Sequence, residues 1–130
     1  MAMRFVTSLK STLAAALISA AGSAAKGEFW NGTVPAVGAA PAGTKLADVT
    51  FGSAIGTQTS GVIDIDEAGI TNSAGSNVAG TPTFFRLKTS GGTTLADFDI
   101  GAGAGNMQFS GAIATGTAIS FSGCTITIGN

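Results

Sequence analysis

The sequence predicts a mainly β protein, a β-sandwich or jelly-roll-like domain with one short N-terminal α-helix. Two features predict the sheets. From Lys45 onward, apolar and polar residues alternate in short runs, the period of half-buried strands. Gly, Ser and Thr punctuate those runs at turn-like intervals. A third predicts the helix: before Lys26 the apolar residues instead step by three and four. Residues 1–26 are therefore taken as a helix and linker, packed on the domain or on a neighbour, and residues 27–130 as the sandwich.

In the N-terminal segment Val6, Leu9, Leu13, Leu17 and Ala20 form the helical stripe. Thr7 or Ser8 can cap its start and Gly22 can end it. A secretory leader with a small-residue cleavage site at Ser23-Ala-Ala25 is the competing reading. Lys10, close against the alanine-dominated run, favours the helix. No stretch is long and apolar enough to span a membrane as a helix.

Gly27–Gly32 reads as a short strand ending in a turn, and residues 33–44, rich in Pro, Gly and Ala, as a loop. Lys45–Phe51 alternates as a strand. After a Gly/Ser/Thr loop, Gly61–Asp66 forms another, with Ile63 and Ile65 on one face and Val62, Asp64 and Asp66 on the other. Residues 68–81 suggest an irregular strand or loop.

Pro82–Ile100 predicts a hairpin, taken as the centre of the sheet, turning at Gly91-Gly92. That register sets Phe85 opposite Phe98, Leu87 opposite Ala96 and Thr83 opposite Ile100 on the inner face. Arg86–Asp97, Lys88–Leu95 and Phe84–Asp99 then face outward. Gly101–Gly105 reads as a flexible turn into Met107–Phe109. In the closing stretch, Ile119 and Phe121 share one parity and Cys124, Ile126 and Ile128 the other, which predicts a β-bulge at Gly123.

Composition bounds the function. In 130 residues, charged residues are 10% of the chain, against about a quarter in ordinary soluble domains. Much of the surface is therefore expected to be covered by other chains. A net charge of −1 with six scattered Lys and Arg argues against nucleic-acid or anionic-membrane partners. Histidine is absent, removing the commonest general base and metal ligand. The single cysteine, Cys124, is expected to be a small buried hydrophobe.

The remaining motifs point to structure. Asp64, Asp66 and Glu67 lack the further carboxylates of a calcium loop and suit a solvated strand edge. Asp97 and Asp99 share a face, but Arg86 opposite Asp97 suits a cross-strand ion pair better than a glycosidase carboxylate pair. Gly101-Ala-Gly-Ala-Gly-Asn106 follows a strand, yet no helix follows to hold a phosphate. No nucleophile, base and orienter occur in combination, so no catalytic residues, cofactor or metal are expected.

Three stretches carry a resemblance. They are the helix leading into Gly27-Glu-Phe-Trp-Asn-Gly32, the Phe84-Phe-Arg-Leu hairpin with its Asp97-Phe-Asp-Ile-Gly return, and Ile119-Ser-Phe-Ser-Gly-Cys-Thr-Ile-Thr-Ile128. In order and spacing the chain resembles small virion proteins of tailed bacteriophages, in particular the cement (decoration) proteins that sit on assembled capsids as dimers or trimers. The resemblance implies a sandwich or jelly-roll-like fold, self-association, the major capsid protein as partner and a place on the outer capsid surface. Leu9, Leu13, Leu17, Trp30 and Phe84 are then the interface candidates. A head–tail or tail component, and an exported cell-surface or pilus-like protein, are the alternatives.

Overall fold

The computed structural model describes residues 5–101, 106–109, 111–119, 121 and 123–128. Among these described residues one α-helix, α1 (Thr7–Ala21), precedes nine strands: β1 (Lys26–Trp30), β2 (Lys45–Thr50), β3 (Gly56–Thr59), β4 (Val62–Ile65), β5 (Thr71–Asn72), β6 (Phe84–Lys88), β7 (Thr94–Asp99), β8 (Met107–Gln108) and β9 (Thr125–Thr127). They form two sheets, β5-β2-β1-β6-β7 and β3-β4-β9-β8. All strand pairs are antiparallel. Two antiparallel sheets around one core, with a single helix, are consistent with the β-sandwich expected.

The core follows from strand parity. Across the five-stranded sheet, Ala47, Phe29, Phe85 and Phe98 form one inward row. Val49, Gly27, Leu87 and Ala96 form the next. Gly27 has a reason to lack a side chain, since a Cβ there would overlap the Phe85 ring. From the four-stranded sheet, Ile63, Ile126 and Met107 make the matching row, all buried. Phe29 packs against the rings of Phe85, Phe109 and Phe121.

Several elements differ from expectation. The central strand is β1, and the β6–β7 hairpin lies towards one edge. Phe85 with Phe98 and Leu87 with Ala96 pair as expected, but Thr83 is exposed and turned to the Gly32 carbonyl instead of the inner face, and Lys88 pairs with Thr94 rather than Leu95. The turn explains the slip. It closes from the Gly92 N–H to the Thr89 carbonyl, and Gly92 (φ 92°) rather than the Gly91-Gly92 pair adopts positive φ. The extra residue appears as the register shift between Leu87 and Lys88.

Strand β3 falls where a loop was expected. Gly-Thr-Gln-Thr has no apolar alternation and gains its order by pairing with β4 through the Ser60-Gly61 turn, where both residues have positive φ (52° and 84°). Gly123 (φ 64°) precedes β9 instead of sitting within a strand, so the parity change marks entry into β9 and not a bulge. The stretch 102–105 of the glycine-rich turn lies outside the described residues.

Helix α1 starts at Val6 without a side-chain cap, so Thr7 and Ser8 do not serve as the expected cap. It ends as expected at Gly22 (φ 68°), whose N–H returns to the Ile18 carbonyl. Its buried residues are Ala14 and Ala21, with Leu17 and Ile18 partly buried against the core. Alanine brings the helix close to the β3–β4 hairpin, and a Cβ on Gly61 would press on Lys10.

Candidate functional site

The outer face of the five-stranded sheet carries a row of charge, Asp48, Glu28, Arg86 and Asp97, one residue from each of β2, β1, β6 and β7. Arg86 and Asp97 form a two-point ion pair, Nε to Oδ1 at 2.7 Å and Nη2 to Oδ2 at 2.9 Å. Both groups are largely shielded, with Arg86 5% exposed. The cross-strand pair was legible in the sequence; its burial was not. Nη2 of Arg86 also donates to the Ala39 carbonyl at 2.9 Å, so the loop between β1 and β2 folds over the sheet face and covers the pair.

Glu28, 8% exposed, sits beside it. Its Oε1 accepts from Trp30 Nε1 (3.1 Å), and its Oε2 accepts from Lys88 Nζ (3.1 Å) with Lys45 Nζ at 3.5 Å. Burial pushes this carboxyl up, but the hydrogen bonds from Trp30 and Lys88 and the charges of Lys88 and Lys45 outweigh it. The group is held below its ordinary range. With a folded pKa below the unfolded one, Glu28 adds stability above its unfolded pKa, and that stability is lost as pH falls through the folded value. Urea midpoints measured from neutral pH into acid are expected to fall more steeply for wild type than for Glu28→Gln.

Trp30 stacks on Phe84, ring centroids 6.2 Å apart and planes at 7°. Phe84 is fully buried, outside the core shared by the two sheets. Of these two interface candidates, Phe84 is therefore corrected: it supports the outer face from beneath and offers no surface. Trp30 is half-buried.

The loop of residues 31–44 is closed at its base like an Ω-loop. Asn31 N–H donates to the Thr44 carbonyl (3.1 Å), and Thr44 N–H donates to Asn31 Oδ1 (2.7 Å). Thr83 Oγ1 donates to the Gly32 carbonyl (2.6 Å). Gly43 has positive φ, and a Cβ there would overlap the Asn31 carbonyl. Between Thr33 and Thr44 there is no charged side chain. Val37 at its tip is fully exposed, and Val34 is 40% exposed. The result is a firmly footed, charge-free apolar projection. The sequence signal was present in that uncharged run, but Pro and Gly there read only as an absence of regular structure.

On the helix the stripe divides. Leu17 packs on the core, whereas Leu9 and Leu13 are 41% and 37% exposed. The expectation that all three face protein within the chain or beyond it thus holds inside the chain for Leu17 alone. Neighbouring Ala14 and Ala21 take the inward positions, because small side chains permit the close approach to β3 and β4.

Elsewhere, Ser53, Gly56, Asp64, Asp66 and Glu67 border an open depression of about 690 Å³. Glu67 Oε1 accepts from the Cys124 N–H there at 2.9 Å. Among the described residues, no group of His, Cys, Asp and Glu is arranged to hold a metal ion. Cys124 is buried, and burial with the nearby charges of Glu67 and Asp64 pushes its thiol up to about 12, so it stays protonated at neutral pH. No helix among the described residues is long and apolar enough to cross a membrane. Comparisons with protein-family models, with curated proteins and with solved structures find no match for this chain.

Proposed function

We propose that this chain is a non-enzymatic structural protein of a bacteriophage virion, a cement protein that binds the outer capsid surface and bridges subunits of the major capsid protein. The observation that supports this most directly is the anchored loop of residues 31–44, which holds Val34 and Val37 in water on a stretch with no charged side chain of its own. A buried ion pair and a closed base hold it in place, so docking it onto a partner loses little conformational entropy. The sequence resemblance to cement proteins names the partner class. A net charge of −1 suits the outer surface over one against packaged DNA. Repeated over a lattice, modest contacts that bridge subunits gain through effective concentration.

Val37→Asp is expected to leave the fold intact, since the side chain touches solvent, and to weaken binding to empty shells by about tenfold or more, roughly 1.4 kcal/mol. Co-sedimentation of the purified chain with shells measures this. Wild-type binding by that variant removes the loop from the contact. Particles lacking the protein that retain DNA on heating as well as complete ones do, or labelling that places it in the tail, overturn the cement reading.

A further inference from the structure

The exposed side of α1 has a spacing of its own. Leu9, Leu13, Ala16 and Ala20 are all exposed, with Val6 at the N-cap continuing the line. They step 3, 4, 3, 4 from Val6 onward, the a/d spacing of a helix–helix seam, and on an ideal helix Leu9 to Ala20 fall within an arc of about 60°. This arc is distinct from the Ala14, Ile18 and Ala21 side that meets the domain. A helix laid on a sheet needs one apolar side, and this one has two.

We propose that this second side is a docking surface for a second copy of the same chain, two α1 helices packing antiparallel about a two-fold axis. Three features favour that occupant. The 3–4 spacing continues along the whole helix, the pattern with which a facing helix of equal length interdigitates, whereas an extended peptide presents a period of two. The seam carries no charge, and the one charged residue of α1, Lys10, is half-buried on the side towards Gly61, so identical helices meet without repulsion. The order of sizes is self-complementary when the chain runs in reverse. Setting Leu13 against Ala16 of the other copy also sets Leu9 against its Ala20, a large side chain facing a small one in every layer. Such an arrangement is isologous, as a two-fold contact requires.

The helix is already folded on its own domain, so pairing does not first have to nucleate it. One face of a 15-residue helix is nonetheless smaller than the roughly 800 Å² per partner of a standard interface, so the dimer is weak and concentration-dependent. The use of such pairing, presenting two apolar loops to neighbouring coat subunits, rests on the cement reading; the pairing itself does not.

Sedimentation equilibrium of the purified full chain, from micromolar to millimolar, tests it. A reversible monomer–dimer equilibrium is expected, weakened at least tenfold by Leu13→Glu and by Ala16→Glu. The unfolding midpoint of Ala16→Glu as a monomer should match the wild type, because that position faces solvent; Leu13 is 37% exposed, so if Leu13→Glu lowers the monomer's midpoint, Leu9→Glu replaces it. Mixing Leu13→Cys and Ala16→Cys chains under oxidation should give the heterodimer disulfide in preference to either homodimer. Val37→Asp should leave the equilibrium unchanged even if it abolishes shell binding, which separates this proposal from the functional one. A chain that remains monomeric at millimolar concentration overturns the proposal. So does a dimer indifferent to every seam variant, or preferential Leu13→Cys homodimer crosslinking.

Discussion

Asp97→Ala is expected to lower the unfolding free energy by about 3–5 kcal/mol, the range for breaking a buried ion pair from one side. The variant leaves the Arg86 guanidinium, 5% exposed, without the carboxylate that takes both Nε and Nη2. Water cannot readily replace it, because the loop of residues 31–44 lies over the pair through the Ala39 carbonyl. Were the pair exposed, the same change would be worth no more than about 1 kcal/mol. Urea denaturation decides between the two magnitudes. Replacing both partners, Arg86→Met with Asp97→Leu, is expected to recover much of the loss by removing the stranded charge. Limited proteolysis should also cut the loop faster in Asp97→Ala, since the strap residue Arg86 loses its orienting partner.

Phe29→Ala should be comparably severe, about 3–5 kcal/mol for deleting a fully buried aromatic ring. Phe29 stands on the central strand with ring centroids 5.0 Å from Phe85, 4.8 Å from Phe109 and 5.9 Å from Phe121, so it joins residues far apart in sequence. No single neighbour can collapse into the space it leaves. Phe98→Ala, on edge strand β7 and 7% exposed, is expected to cost less because the edge can relax. Calorimetric or urea unfolding of the two variants side by side checks the order. An equal loss would mean that the core is organised around the hairpin after all.

The hairpin was the most legible element for a physical reason. Only registers of one parity place Phe85, Leu87, Ala96 and Phe98 on the same face, the short turn selects among them, and a slip by one residue would turn one strand's apolar pair outward. Even there the loop holds three residues, Ser90 to Gly92, where a Gly91-Gly92 turn is expected. Whether Gly91 or Gly92 takes the positive φ depends on the hydrogen bond back to Thr89, which composition does not encode. Strand β3 was illegible because an edge strand of Gly, Thr and Gln needs no apolar face of its own; β4 supplies its order. The candidate surfaces were half legible. Leu9 and Leu13 stood out as a stripe, but Val34 and Val37 did not, since no periodicity marks a loop.

By itself the sequence determined the sheet class, the helix, the inner register of the β6–β7 hairpin and the pairing of Arg86 with Asp97, because each depends on local alternation or on a short turn. Only the tertiary structure decided which of these groups water reaches. Folding the loop of residues 31–44 over the outer sheet face set the Ala39 carbonyl on buried Arg86 and left Val37 fully exposed. On the same face Phe84 came to lie buried under the Trp30 ring, and Glu28 buried among Trp30, Lys88 and Lys45. Seating α1 through Ala14 and Ala21 turned Leu9 and Leu13 outward. Exposure is set by what packs on top of a residue, and the covering segments here come from elsewhere in the chain, where no local pattern reports their arrival.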